Sequence, residues 1–193
     1  MPITYTNAKG QTYFLHCAST KTGKPKYYFS RKHEGHLADA IPEGFEMYET
    51  PNAQVFLRRI PPQLITNEER QIVEAGMRRY ARVQDYKIDV KGTAIVIYLA
   101  DQDRDALARI VREYGSSPEE QARIMNLLRQ QLHYSPMMQF LLVDEQRRLF
   151  AAQRFCFRGA IDDWIGIGSL DTLPNLVKTY VTHLGKESYF ELW

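Results

Sequence analysis

The sequence predicts an α+β fold built on antiparallel sheets. Runs of strand formers come in pairs joined by short, turn-rich connectors, which is the pattern of hairpins. Helical spacing of apolar residues is confined to about four stretches. Strand–helix alternation of the kind that builds a parallel sheet is weak.

Up to residue 60 the pattern is β. "QTYFLHC" (11–17) and "PKYYFSR" (25–31) flank the turn-rich "ASTKTGK", and Lys9-Gly10 and Thr22-Gly23 suit tight turns. "EGFEMYE" (43–49) and "QVFLRRI" (54–60) add a second pair, so an antiparallel β-meander or small open barrel is expected. Pro61-Pro62 then excludes helix and marks a boundary between a basic β-rich subdomain, 1–60, and an α+β domain, 61–193. "TNEER" offers a capping box in which Thr66 and Glu69 satisfy each other's backbone N–H groups. Ile72, Val73, Gly76, Met77, Tyr80 and Ala81 follow at helical spacing, predicting a helix over 67–83.

"YKIDV" (86–90) and "TAIVIYLA" (93–100) read as a hairpin turning at Lys91-Gly92. A second helix is predicted from near Asp101 to Gly115 on the stripe Leu107, Ile110, Val111 and Tyr114. Ser117-Pro118-Glu119-Glu120 opens a third, with a cap, a proline at the first position and acids in the first turn. "MMQFLLVD" (137–144) and "RLFAAQRFCFR" (148–158) form another hairpin about Glu145-Gln146-Arg147. A loop through "GIGSLDTLPN", a helix over 174–183 and a last strand at "SYFEL" are expected to close the chain.

At 193 residues the chain is long enough to bury its own core without a metal or disulfide. Cys17 and Cys156 each sit in an apolar, strand-like run and read as small hydrophobes, which points to a reducing, cytoplasmic setting. "MPITYTNAKG" resembles neither a signal nor a transit peptide, and no apolar run approaches the ~20 residues of a membrane span. No membrane contact is expected. The net charge of +2 hides an asymmetry. Residues 1–33 carry +6, from Lys9, Lys21, Lys24, Lys26, Arg31 and Lys32 with no acid, so the remainder carries −4. Segregation of this kind speaks to partners rather than to fold.

The basic stretch interleaves aromatics. On a strand over 25–31, Lys26, Tyr28 and Ser30 share one face and Tyr27, Phe29 and Arg31 the other. An exposed ring beside lysines is how a β-surface stacks a base and neutralises its phosphate. The same charges also keep a strand edge soluble. Lys24, Lys26, Tyr28, Arg31 and Lys32 are the candidate nucleic-acid contacts. Arg78 and Arg82, one turn apart on the first predicted helix, join them.

Metal chemistry has three thinner candidates. Asp101, Asp103 and Asp105 follow an apolar strand. Their D-x-D opening resembles the haloacid-dehalogenase-like phosphatases, and an EF-hand loop less well, since Ala106 and Arg112 stand where glycine and glutamate are needed. Acids at a helix start also complement its dipole. Asp89-Val90-Lys91 resembles the D-x-K half of the PD-(D/E)-x-K nucleases, without the upstream Pro-Asp. His33-x-x-His36 with His16 or Cys17 offers three protein ligands at most, because neighbours on a strand face opposite ways. No glycine-rich phosphate loop or nucleophile elbow occurs, and no cofactor is expected.

Trp164 and Ile165 in the expected loop, and Trp193 at the end, are candidate protein-contact residues. Three functional expectations result. The first is a non-enzymatic cytoplasmic binding protein contacting RNA or single-stranded DNA through its N-terminal β surface. The second is an adaptor or assembly subunit, including a homo-oligomer, using Trp164, Ile165 and Trp193. The third is a Mg²⁺-dependent nuclease or phosphatase using Asp89, Lys91, Asp101 and Asp103.

Overall fold

The computed structural model describes residues 1–102, 104–158 and 161–193. Its antiparallel sheets and four α-helices make an α+β fold. The chain divides into two compact units, Met1–Pro61 with Gln102–His133, and Pro62–Asp101 with Tyr134–Trp193.

In the first unit, β1 (Thr4–Thr6), β2 (Thr12–Ser19) and β3 (Pro25–Ser30) form a three-stranded meander, and β4 (Phe45–Glu49) and β5 (Val55–Arg59) a separate hairpin. Residues 36–38 take the place of β1 beside the second half of β2, with Cys17 N–H donating to His36 O and Ala38 N–H to Leu15 O. Asn7 ties the two sheets together. Its side chain is buried, donates from Nδ2 to Ala53 O at 2.7 Å, and accepts at Oδ1 from the Lys9 and Gln11 N–H groups. Tyr5 adds a bond to Glu49 at 2.6 Å. The same unit contains α2 (Arg104–Tyr114) and α3 (Pro118–Gln131). Ser117 caps α3, its Oγ accepting from Glu120 N–H as the sequence predicts.

The second unit is a five-stranded sheet in the order β10-β9-β8-β7-β6, every pair antiparallel. Its strands are β6 (Tyr86–Lys91), β7 (Ala94–Ala100), β8 (Tyr134–Asp144), β9 (Leu149–Arg158) and β10 (Ile161–Thr172). The α2–α3 hairpin is inserted in the β7–β8 connection, yet the two strands remain neighbours. On one face, α1 (Asn67–Tyr80) and α4 (Leu173–Tyr180) supply Val73, Met77, Leu173, Leu176 and Val177 to a core with Ile95, Ile97, Met138, Phe140 and Phe150. On the other, Ala94, Val96 and Tyr98 cluster with Tyr134, Leu141 and Trp164. Both faces of β7 are therefore buried, which is why "AIVIYL" reads as one apolar run instead of alternating.

The capping box forms as expected: Thr66 Oγ1 accepts from Glu69 N–H, and Glu69 Oε2 accepts from Thr66 N–H. The helix ends at Tyr80 rather than at 83, because Ala81 is already extended. Two expectations near the C-terminus are corrected. Residues 161–172 are not a loop but the edge strand β10, bulged between Ile167 and Asp171. Its two glycines and adjacent acids hide it from propensity, while pairing along β9 holds it. "SYFEL" is not a strand but a 3₁₀ turn over Glu187–Tyr189, with Tyr189 N–H reaching Lys186 O and Phe190 N–H reaching Glu187 O. Tyr189 anchors it in the core, its hydroxyl donating to Met137 O and accepting from Phe155 N–H.

Candidate functional site

Register places Ala18 against Lys26, His16 against Tyr28 and Phe14 against Ser30, so all six lie on one face of the N-terminal sheet. His16 is 5 % exposed. Its Nε2 lies 2.8 Å from Lys32 O, and a carbonyl only accepts, so this nitrogen carries the proton. Tyr28 stacks on the imidazole with centroids 5.2 Å apart and planes 12° apart, and still keeps 41 % of its surface exposed. Lys26 Nζ stands 5.8 Å from the same ring centroid. Lys24, Arg31 and Lys32 are exposed on the connections at either end of β3. On the opposite face Tyr27 stands across from Cys17, and a side-chain hydrogen bond with the Cys17 sulfur raises the phenol above its ordinary range.

From sequence His16 is only a weak metal-ligand candidate, whereas the structure makes it the base of this stack. The signal was present in the β2–β3 pairing, but only with the hairpin register known. Among the described residues no three His, Cys, Asp or Glu side chains gather as a metal site.

Arg78 lies in the last turn of α1 and Arg82 just beyond its end, both exposed. They line a groove of about 510 Å³ with Met77, Ala81, Val83, Gln84 and Tyr86. Among the described residues no carboxylate lines it. Neither arginine forms an ion pair or hydrogen bond among the described residues.

Asp89 and Lys91 share a face of β6, with Lys91 Nζ 4.0 Å from Asp89 Oδ2 and 2.5 Å from the Tyr98 hydroxyl. Asp101 is exposed just after β7, and Asp103 lies outside the described residues. Trp164 and Ile165 sit on β10 rather than in a loop, and both are half-buried. Trp164 meets Phe155 edge-on at 5.1 Å. Ile165 pairs with Arg154, on the face that carries Met138. Trp193 is 76 % exposed, with the Arg154 guanidinium 5.1 Å from its ring.

The architecture defines the chain as an α+β protein with two compact units. Among its described residues no helix is long and apolar enough to cross a membrane. Comparison with known proteins adds no relative: no family model fits the chain, and no curated protein or solved structure matches it.

Proposed function

We propose that this chain is a cytoplasmic, non-enzymatic protein that binds single-stranded nucleic acid through the Lys26–Tyr28 face of its N-terminal hairpin. The observation that carries the reading is an exposed aromatic ring, braced from below by a buried histidine and flanked by an ammonium group. A ring held on His16 has little rotamer freedom left to lose when a base stacks on it. An exposed cation–π contact such as that of Lys26 is worth about 0.5–1 kcal/mol. A stacked base is worth about 1–3 kcal/mol, so the base displaces the ammonium towards its own phosphate. Lys24, Arg31 and Lys32 supply further neutralisation, and Arg78 and Arg82 at and just past the end of α1 are a second set of phosphate contacts. The two free cysteines agree with a reducing compartment.

The test is fluorescence anisotropy with labelled uridine and thymidine oligonucleotides over a salt series. Affinity is expected to fall with a slope of about −0.7 per neutralised phosphate. Tyr28→Ala is expected to cost about 1–3 kcal/mol. The ratio between RNA and DNA strands reports which is preferred. Salt-independent binding, or binding unchanged in Tyr28→Ala and in Lys24→Glu/Lys26→Glu, removes the proposal.

A second reading, contact with a protein partner or a second copy, draws on Phe190 at 58 % and Trp193 at 76 % exposure in the C-terminal segment. Light scattering of the wild type against Trp193→Ala tests the self-association arm.

A further inference from the structure

We infer that the groove at the C-terminal end of α1 holds one nucleotide, its phosphate between Arg78 and Arg82 and its base against Met77, Val83 and Tyr86. This deepens the reading of the two arginines as phosphate contacts and rests on it. It does not rest on the hairpin.

Arg78 in the last turn of α1 and Arg82 just beyond its end line the same groove, where two like charges repel each other. No carboxylate lines the groove, and neither guanidinium is paired among the described residues. Positions at a helix C-terminus favour cations, which accounts for one arginine near the end but not for two facing a shared concavity. The carbonyl end of a helix repels an anion, so α1 itself adds nothing to phosphate binding here. The charge must come from side chains, and the planar fork of arginine matches phosphate oxygens in pairs.

The rest of the lining suits a base. Ala81 leaves the helix with φ −79° and ψ 145°, so the chain turns away, and Ala81, Arg82, Val83, Gln84 and Tyr86 make a wall. Met77 is buried and forms an apolar floor with Ala81 and Val83. Gln84 offers an amide that both donates and accepts, and Tyr86 a ring and a hydroxyl, so stacking and base-edge hydrogen bonding are both available. A volume of about 510 Å³ lies in the range of roughly 300–1,000 Å³ found for small-molecule sites. The phosphate is either that of a free mononucleotide or a diester within a strand.

Calorimetry on the intact chain tests this with AMP, adenosine and inorganic phosphate as probes. AMP is expected to bind at least about tenfold more tightly than either fragment. Arg78→Glu/Arg82→Glu is expected to abolish AMP binding, and the milder Arg78→Gln/Arg82→Gln to weaken it. Lys26→Glu/Tyr28→Ala is expected to leave it unchanged, because those residues belong to the hairpin. Competition between AMP and a short oligonucleotide identifies the strand as the natural source; simultaneous binding identifies a free nucleotide. No AMP binding at millimolar concentration, equal affinity for adenosine, or unchanged affinity in both arginine variants overturns the inference. An oligonucleotide that still binds in a salt-dependent, Tyr28-dependent way would leave the hairpin standing without the groove.

Discussion

Glu69 shows how much one side chain can do in this fold. It is 9 % exposed, it closes the capping box of α1, and it receives Arg148 from the β8–β9 turn at 2.9 Å and 2.5 Å. Arg148 also donates to Leu64 O, and it holds φ at +52°, a left-handed conformation uncommon outside glycine. The turn therefore accepts local strain to place a guanidinium against a nearly buried carboxylate. Arg148→Ala keeps the strain and strands the charge. A loss of about 1–3 kcal/mol is expected by chemical denaturation. That is below the value for a fully buried pair, since the Arg148 side chain is 37 % exposed and partly screened by solvent. Glu69→Gln should cost less, because the amide can still accept from Thr66 N–H while Arg148 turns to water. A larger loss for Glu69→Gln than for Arg148→Ala would refute this account of the pair.

At the scale of elements, α1 and α4 approach closely in the core. A Cβ built on Gly76 would overlap Cγ1 of Val177, which is 2 % exposed and β-branched. Alanine in place of glycine within a helix normally gains up to about 1 kcal/mol. Overpacking a tight core costs about 1–3 kcal/mol, and a buried valine locked at χ1 has nowhere to go. Gly76→Ala is therefore expected to destabilise the protein despite its better helix propensity, and Val177→Ala in the same chain to recover part of the loss. A stabilised Gly76→Ala variant would show that the helices separate freely. The helical character of α1 was readable in its period and cap, whereas its partner was not. Nothing local says that Gly76 meets Val177, 101 positions along the chain.

For the whole molecule, the C-terminal segment is a structural fastener. Tyr189 is 1 % exposed, with its hydroxyl shared between Met137 O and the Phe155 backbone, and burial pushes its pKa up to about 12. An unfolded tyrosine ionises near 10. Between roughly pH 10 and 12 the unfolded chain releases a proton that the folded chain retains. Stability is full below that window and falls through it, by at most about 1.4 kcal/mol per pH unit from this group. Denaturation at pH 9 and pH 11.5 should show a larger loss for the wild type than for Tyr189→Phe, which has no proton to release. Parallel losses would place the alkaline sensitivity elsewhere.

What could be read along the chain was whatever is decided within a few residues. Caps at Thr66 and Ser117, helical stripes, hairpin turns and the crowding of lysines into residues 1–33 all follow from local sterics, hydrogen bonding and charge. Packing decided the rest. Residues 161–172 are a strand because β9 offers a hydrogen-bonding edge, against the propensity of their own glycines and acids. His16 meets Tyr28 because of the β2–β3 register and is covered because residues 32–38 run back beside β2, and a groove exists beside Arg78 and Arg82 because the chain leaves α1 at Ala81. Each of these outcomes depends on surfaces brought together from distant positions, and burial is a property of the assembled molecule that no short window of sequence contains.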